Sequence, residues 1–171
     1  MSQPFFETAD VQLPDDNTVQ VQRTFKATKD LVYRAYTEPQ FLKRWLSGYA
    51  DWEMTVCDMD VVEGGGYQWR WRNNAENQEF GFTGVFLKII PQQEIQHTQL
   101  FDPGTMGGDM GAETIITVQL SESNGNTLVT TTIQYQSQDD RDMALSTGMT
   151  DGMEVNYKIL NHMLKDYEIS E

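Results

Sequence analysis

Few of the 171 residues are equipped for proton transfer or nucleophilic attack: the chain has two histidines and one cysteine. His97 stands beside Gln96 and Thr98 in an alternating stretch. His162 lies off the apolar stripe of a C-terminal helical pattern and is expected to face water. Neither has a nucleophile close by in sequence. Were the chain an enzyme, His97, Glu79 or Glu113 would be the candidate general base. Asp51 and Glu53, and likewise Asp58 and Asp60, alternate along one stretch, but no calcium-loop or His-Glu-x-x-His spacing accompanies them, so they read as solvated acids. Arg70 and Arg72 share a face and could grip a carboxylate, or pair with a neighbour such as Glu79. Gly64-Gly65-Gly66 lacks the Lys-Ser/Thr of a phosphate cradle and reads as a turn. Cys57, being alone, can form neither an internal disulfide nor a cysteine metal cluster, and reads as a small packing residue. No cofactor is called for.

The apolar residues carry more information. Tyr67, Trp69 and Trp71 alternate with Gln68, Arg70 and Arg72, which places three aromatic rings on one face of a strand. Trp45, Trp52, Phe82, Phe86 and Phe101 add more aromatic mass than a minimal core requires. Met149, Met153, Tyr157, Leu160 and Leu164 recur at steps of four, four, three and four, a continuous helical stripe whose thioethers adapt to varied shapes. Trp45, Trp52, Tyr67, Trp69, Trp71, Phe82, Phe86, Phe101, Met149, Met153 and Tyr157 are therefore candidates to line an apolar binding site. The same side chains would also serve as plain core.

The elements that must position them follow from periodicity and turn residues. Val19 to Phe25 alternates as a strand, and Thr28 caps a helix with Leu31, Val32, Ala35 and Tyr36 inward. Pro39 opens a second short helix to Leu46, ended by Gly48. Strands are expected over 52–62, 67–72, 79–90, 94–101, 113–120 and 127–135, with a hairpin turn at Asn124-Gly125. Residues 139–145 form a turn or two of helix, and the long amphipathic helix follows. Hairpin-linked strands imply an antiparallel sheet, and that helix is the one large element able to cover a face of it. The fold class is α+β: a sheet of about seven strands around a C-terminal helix. Residues 1–16 read as an extended or loosely docked arm before a single domain over 17–171. The loop 102–111, with its glycines, could act as a mobile lid or be an ordinary connection.

A formal charge of −14 argues against nucleic acid and anionic lipid as partners. No window approaches the length of a membrane span, and the N-terminus lacks a secretory pattern, so a cytoplasmic setting is the expectation.

Several stretches, taken in order, carry a resemblance. Arg23-Thr-Phe25-Lys-Ala27, Leu31-Val-Tyr33-Arg34-Ala35-Tyr36-Thr37-Glu38-Pro39 and Leu42-Lys-Arg44-Trp45 come first. Glu63-Gly64-Gly65-Gly66-Tyr67-Gln-Trp69-Arg70 and Phe82-Thr-Gly84-Val85-Phe86-Leu-Lys-Ile89-Ile-Pro91 follow. Asn126-Thr127-Leu128-Val-Thr130 and Gly148-Met149-Thr-Asp-Gly152-Met153 close the series. Together they resemble the Hsp90-ATPase-activator-like family of the START-like (SRPBCC) superfamily, over residues 19 to 166. The resemblance implies a helix-grip fold with a cavity between sheet and terminal helix, where members of the wider superfamily hold hydrophobic small molecules. It also raises two other readings: an Hsp90-type chaperone as partner, and an enzyme such as a cyclase or hydrolase acting on a hydrophobic substrate. Relatives often pair, so a homodimer through a strand edge is open. Leu46 and Met153 depart from the family, which usually has Trp and an aromatic residue there. The co-chaperones that name the family carry an additional N-terminal domain, which the short arm is not expected to replace.

Overall fold

The computed structural model describes residues 3–46, 51–104 and 111–170, side chains of 168–170 excepted. In chain order it forms β1 (Asp10–Gln12), β2 (Thr18–Phe25), α1 (Lys29–Thr37), α2 (Pro39–Trp45), β3 (Trp52–Met59), β4 (Gly66–Asn73), β5 (Gln78–Ile90), β6 (Glu94–Asp102), β7 (Thr114–Ser123), β8 (Asn126–Gln134), α3 (Gln138–Ser146) and α4 (Met149–Ser170). The strands make one antiparallel sheet in the order β1-β2-β8-β7-β6-β5-β4-β3. This is the helix-grip arrangement: a curved sheet closed on one face by a long C-terminal helix. From β3 to β8 each strand pairs with the next, and β2 joins the far end by pairing with β8.

The sheet has eight strands rather than about seven. The added one lies in the N-terminal arm, where Asp10–Gln12 pairs with Gln20–Gln22. Its backbone groups find partners at an otherwise open edge, and Phe6 adds a two-way contact with Thr24, through its own amide and its carbonyl. β3 ends at Met59 rather than Val62, because Val62 and Gly65 donate to the Asp60 and Val62 carbonyls and turn the chain. Gly48, expected to stop α2, and Thr105 to Met110 of the expected lid lie outside the described residues.

Local chemistry accounts for the short helices. Thr28 Oγ1 accepts from the Leu31 amide at the start of α1. Pro39 occupies the first turn of α2, where its missing N–H costs nothing. Asn124 and Gly125 both take positive φ, 55° and 78°, which the tight β7–β8 hairpin needs.

The core lies between the inner sheet face and the helices. Val19, Val21 and Phe25 of β2, Ile116 and Val118 of β7, and Val129 and Ile133 of β8 face Tyr157, Leu160, Met163 and Leu164 of α4. Each fully buried Leu or Phe there contributes about 1.5–3 kcal/mol. The alternation of β2 also turns Arg23 inward, where it is 5% exposed and meets Glu154 of α4 at 3.1 Å. Among the described residues, no helix is long and apolar enough to cross a membrane.

Candidate functional site

The stripe on α4 is not buried evenly. Tyr157, Leu160 and Leu164 are sealed in the core, whereas Met149 and Met153, nearer the helix start, only pack against its border. Along this border, a cavity of about 140 Å³ lies between α4, α2 and the sheet. Trp45, Trp69, Phe86, Met153 and Tyr157 line it, with Tyr36, His97, Gln99, Thr131 and Asn156 as its polar wall. A wider space of about 690 Å³ shares Trp69, Met153 and Asn156 with it and continues past Trp52, Trp71, Phe80, Phe82 and Met149. Phe101 lines a third space, of about 590 Å³, together with Phe82, Met149 and Met143 of α3.

Nine of the eleven candidate residues thus line the first two spaces. Tyr67 is buried behind Trp69, with ring centroids 4.4 Å apart. Phe101 stands apart from the inner cavity and is 37% exposed.

Register explains the grouping. β4 turns Tyr67, Trp69 and Trp71 inward, opposite Gly84, Phe82 and Phe80 of β5. Trp71 stacks on Phe80 at 5.2 Å. Tyr67 sits in the room left by Gly84: a Cβ there would lie 2.5 Å from the tyrosine ring and collide with the Thr98 carbonyl. A bulge between Met54 and Val56 shifts the parity of β3. Glu53 and Thr55 face out before it, and Asp58 faces out after it, so the expected acid pairs point to solvent through both registers.

The indoles differ in their hydrogen bonds. Trp45 Nε1 donates to the Ala35 carbonyl and Trp71 Nε1 to the Leu46 carbonyl, each at 2.9 Å. Trp69 Nε1 is shielded from solvent and has no partner among the described residues, and the same holds for Asn156 Oδ1. His97 Nδ1 lies 2.9 Å from the Thr98 carbonyl and 3.0 Å from Tyr67 Oη. A carbonyl can only accept, so Nδ1 carries the ring proton and the neutral imidazole keeps Nε2 as an acceptor. Burial holds His97 below its usual 6.5 and favours that neutral form. Burial likewise raises the Tyr67 phenol, and raises Tyr36 and Tyr157 on the far wall. The Tyr157 hydroxyl lies 3.4 Å from Thr131 Oγ1. No Asp, Glu, Lys or Arg is among the described residues lining the first two spaces.

The remaining chemical candidates lie elsewhere. Glu113 is exposed and His162 faces solvent. Arg72 approaches Glu79 at 4.0 Å, while Arg70 pairs with Asp102 at 2.8 Å. Cys57 is half-buried, and its thiol, pushed up to about 11 chiefly by burial, is a weak nucleophile at neutral pH. No group of three or more His, Cys, Asp or Glu among the described residues could hold a metal.

Sequence reading overlooked Phe80, Gln99, Thr131 and Asn156. Three of these had a signal: Phe80 shares parity with Phe82, Gln99 with His97, and Asn156 is three residues beyond Met153 on the stripe. Thr131 looked like an ordinary strand threonine.

A curved antiparallel sheet gripping a terminal helix, with a cavity between them, defines a START-like domain. More specifically, residues 26–165 match the family described as activator of Hsp90 ATPase homolog 1-like protein, and the chain belongs to that family. No curated protein matches the chain. Among solved structures, a Rhodobacter sphaeroides protein is similar at 28% identity and a TM-score of 0.85, covering 93% of this chain and 99% of its own. A Nitrosomonas europaea protein shares the fold at 18% identity and a TM-score of 0.77, with 92% and 99% covered. An AHSA1-like protein from Aeromonas hydrophila shares it at 18% and 0.63, with 85% and 94% covered.

Proposed function

We propose that the protein is a binding module that holds a hydrophobic small molecule between the sheet and α4. The observation that carries this reading is the cavity lined by aromatic and methionine side chains between α4 and the sheet. Gly152 of α4 lines the wider space, and a Cβ there would meet nothing within 4 Å, so a larger side chain at this position would intrude on the proposed site. The family's description raises an Hsp90-type chaperone as a partner. The cavity puts a small molecule first.

The test is native mass spectrometry of freshly purified wild-type protein and of Gly152→Leu, each compared with its denatured spectrum. A reproducible extra mass on the wild type, lost on denaturation and absent from a folded Gly152→Leu, is the expected result. A clean wild-type spectrum together with no uptake of added small aromatics would refute the reading.

A further inference from the structure

We propose that the cavity selects an uncharged ring compound that bears both a hydrogen-bond acceptor and a hydrogen-bond donor, and rejects carboxylates. This rests on the binding reading above and specifies its ligand class. Three observations converge. The first is size: the inner cavity is about 140 Å³. An apolar cavity of about 150 Å³ is enough for benzene, so the inner chamber holds one ring and any remainder extends into the 690 Å³ space.

The second is charge. A carboxylate brought into these chambers would meet no Lys or Arg among the described lining residues. An unpaired buried charge costs several kcal/mol, more than the burial of one ring returns.

The third is the pair of orphans. Trp69 Nε1 is a donor without an acceptor, and Asn156 Oδ1 is an acceptor without a donor. Both residues line both spaces. Leaving such a buried group unpaired costs about 1–3 kcal/mol, and a ligand atom of the opposite kind recovers part of that. Both atoms are covered by their surroundings, so pairing requires the indole and the amide to turn towards the ligand. Met153, which borders the same chambers, has a flexible side chain able to give way. Trp45 and Trp71 offer no equivalent donor, since theirs are already spent on backbone carbonyls.

The experiment titrates the full chain with three probes of one ring size and follows the indole N–H resonances by NMR. The probes are 4-(hydroxymethyl)acetophenone (both polar groups), 4-ethyltoluene (neither) and 4-acetylbenzoate (charged). The bifunctional probe should bind about tenfold more tightly than the hydrocarbon, equivalent to about 1.4 kcal/mol, and shift the Trp69 resonance. The benzoate should bind at least about tenfold more weakly than the bifunctional probe. Asn156→Leu and Trp69→Phe should each erase most of the preference for the bifunctional probe while retaining affinity for 4-ethyltoluene. Equal binding of hydrocarbon and bifunctional probe, or binding of the benzoate as tight as either, overturns the ligand class and leaves the binding module standing. Binding of none of the three overturns both.

Discussion

Glu154 offers a quantitative test of how α4 is held over the cavity. It sits one residue after Met153 and two before Asn156, and its carboxylate accepts from Arg23 Nε at 3.1 Å, Arg23 Nη2 at 3.4 Å and the Ala9 amide at 2.8 Å. One side chain thus ties the helix to β2 and to the N-terminal arm. Glu154→Ala leaves a guanidinium in the core with its remaining bond to the Thr24 carbonyl and its approach to the Phe25 ring. Removing one partner of a buried pair costs about 3–5 kcal/mol. The Glu154 side chain is 17% exposed, so water can reach part of the site and the lower end applies, about 3 kcal/mol. For a chain of this size that lowers Tm by about 6–12 °C. Replacing both partners, as Arg23→Met with Glu154→Met, removes the charge along with its partner and should fall within about 1 kcal/mol of wild type. Urea unfolding of wild type, Arg23→Met, Glu154→Met and the double variant, with Glu154→Ala beside them, followed by tryptophan fluorescence, measures these values. A Glu154→Ala cost below about 1 kcal/mol, or a double variant as unstable as the two singles summed, would refute the argument that an unpaired Arg23 is the source.

Two further outcomes concern the cavity wall and the residues packed behind it. Burial holds His97 below its unfolded value of 6.5, so the unfolded chain binds the proton first as pH falls. The stability contributed by neutral His97 is therefore full above about 6.5 and is lost as pH drops through the folded value; urea midpoints between pH 5 and 8 should show that slope, and His97→Gln should flatten it. Gly84→Ala forces a Cβ against the Thr98 carbonyl and the Tyr67 ring, so it should cost at least about 1–3 kcal/mol and alter the near-UV circular dichroism of the tyrosine–tryptophan cluster; a variant matching wild type in both would show that Gly84 does not position Tyr67.

Much of this was legible because two periods dominate the chain. Period two in 67–72 put Tyr67, Trp69 and Trp71 on the inner face, as the register of β4 against β5 has them. The steps of three and four from Met149 to Leu164 gave the one large helix its apolar stripe. Turn chemistry at Thr28, Pro39 and Asn124-Gly125 marked element ends, since caps and positive φ are local requirements. β1 was not legible: three residues of arm become a strand because the β2 edge offers partners, which no pattern inside Asp10–Gln12 declares.

The amino-acid sequence by itself therefore determined the fold class and the inner faces, including the parity of the aromatic strand, because side-chain period and turn conformation are encoded within a few neighbouring residues. Tertiary structure alone decided whether those faces meet. Tyr157, Leu160 and Leu164 are sealed in the core, while Met149 and Met153 are only partly buried at its border. It also decided that Trp69 and Asn156, more than eighty positions apart in the chain, are left facing the same space with one unpaired polar atom each. Separations, voids and missing partners are properties of two surfaces brought together, and a stripe on one helix cannot say how far away the sheet will stop.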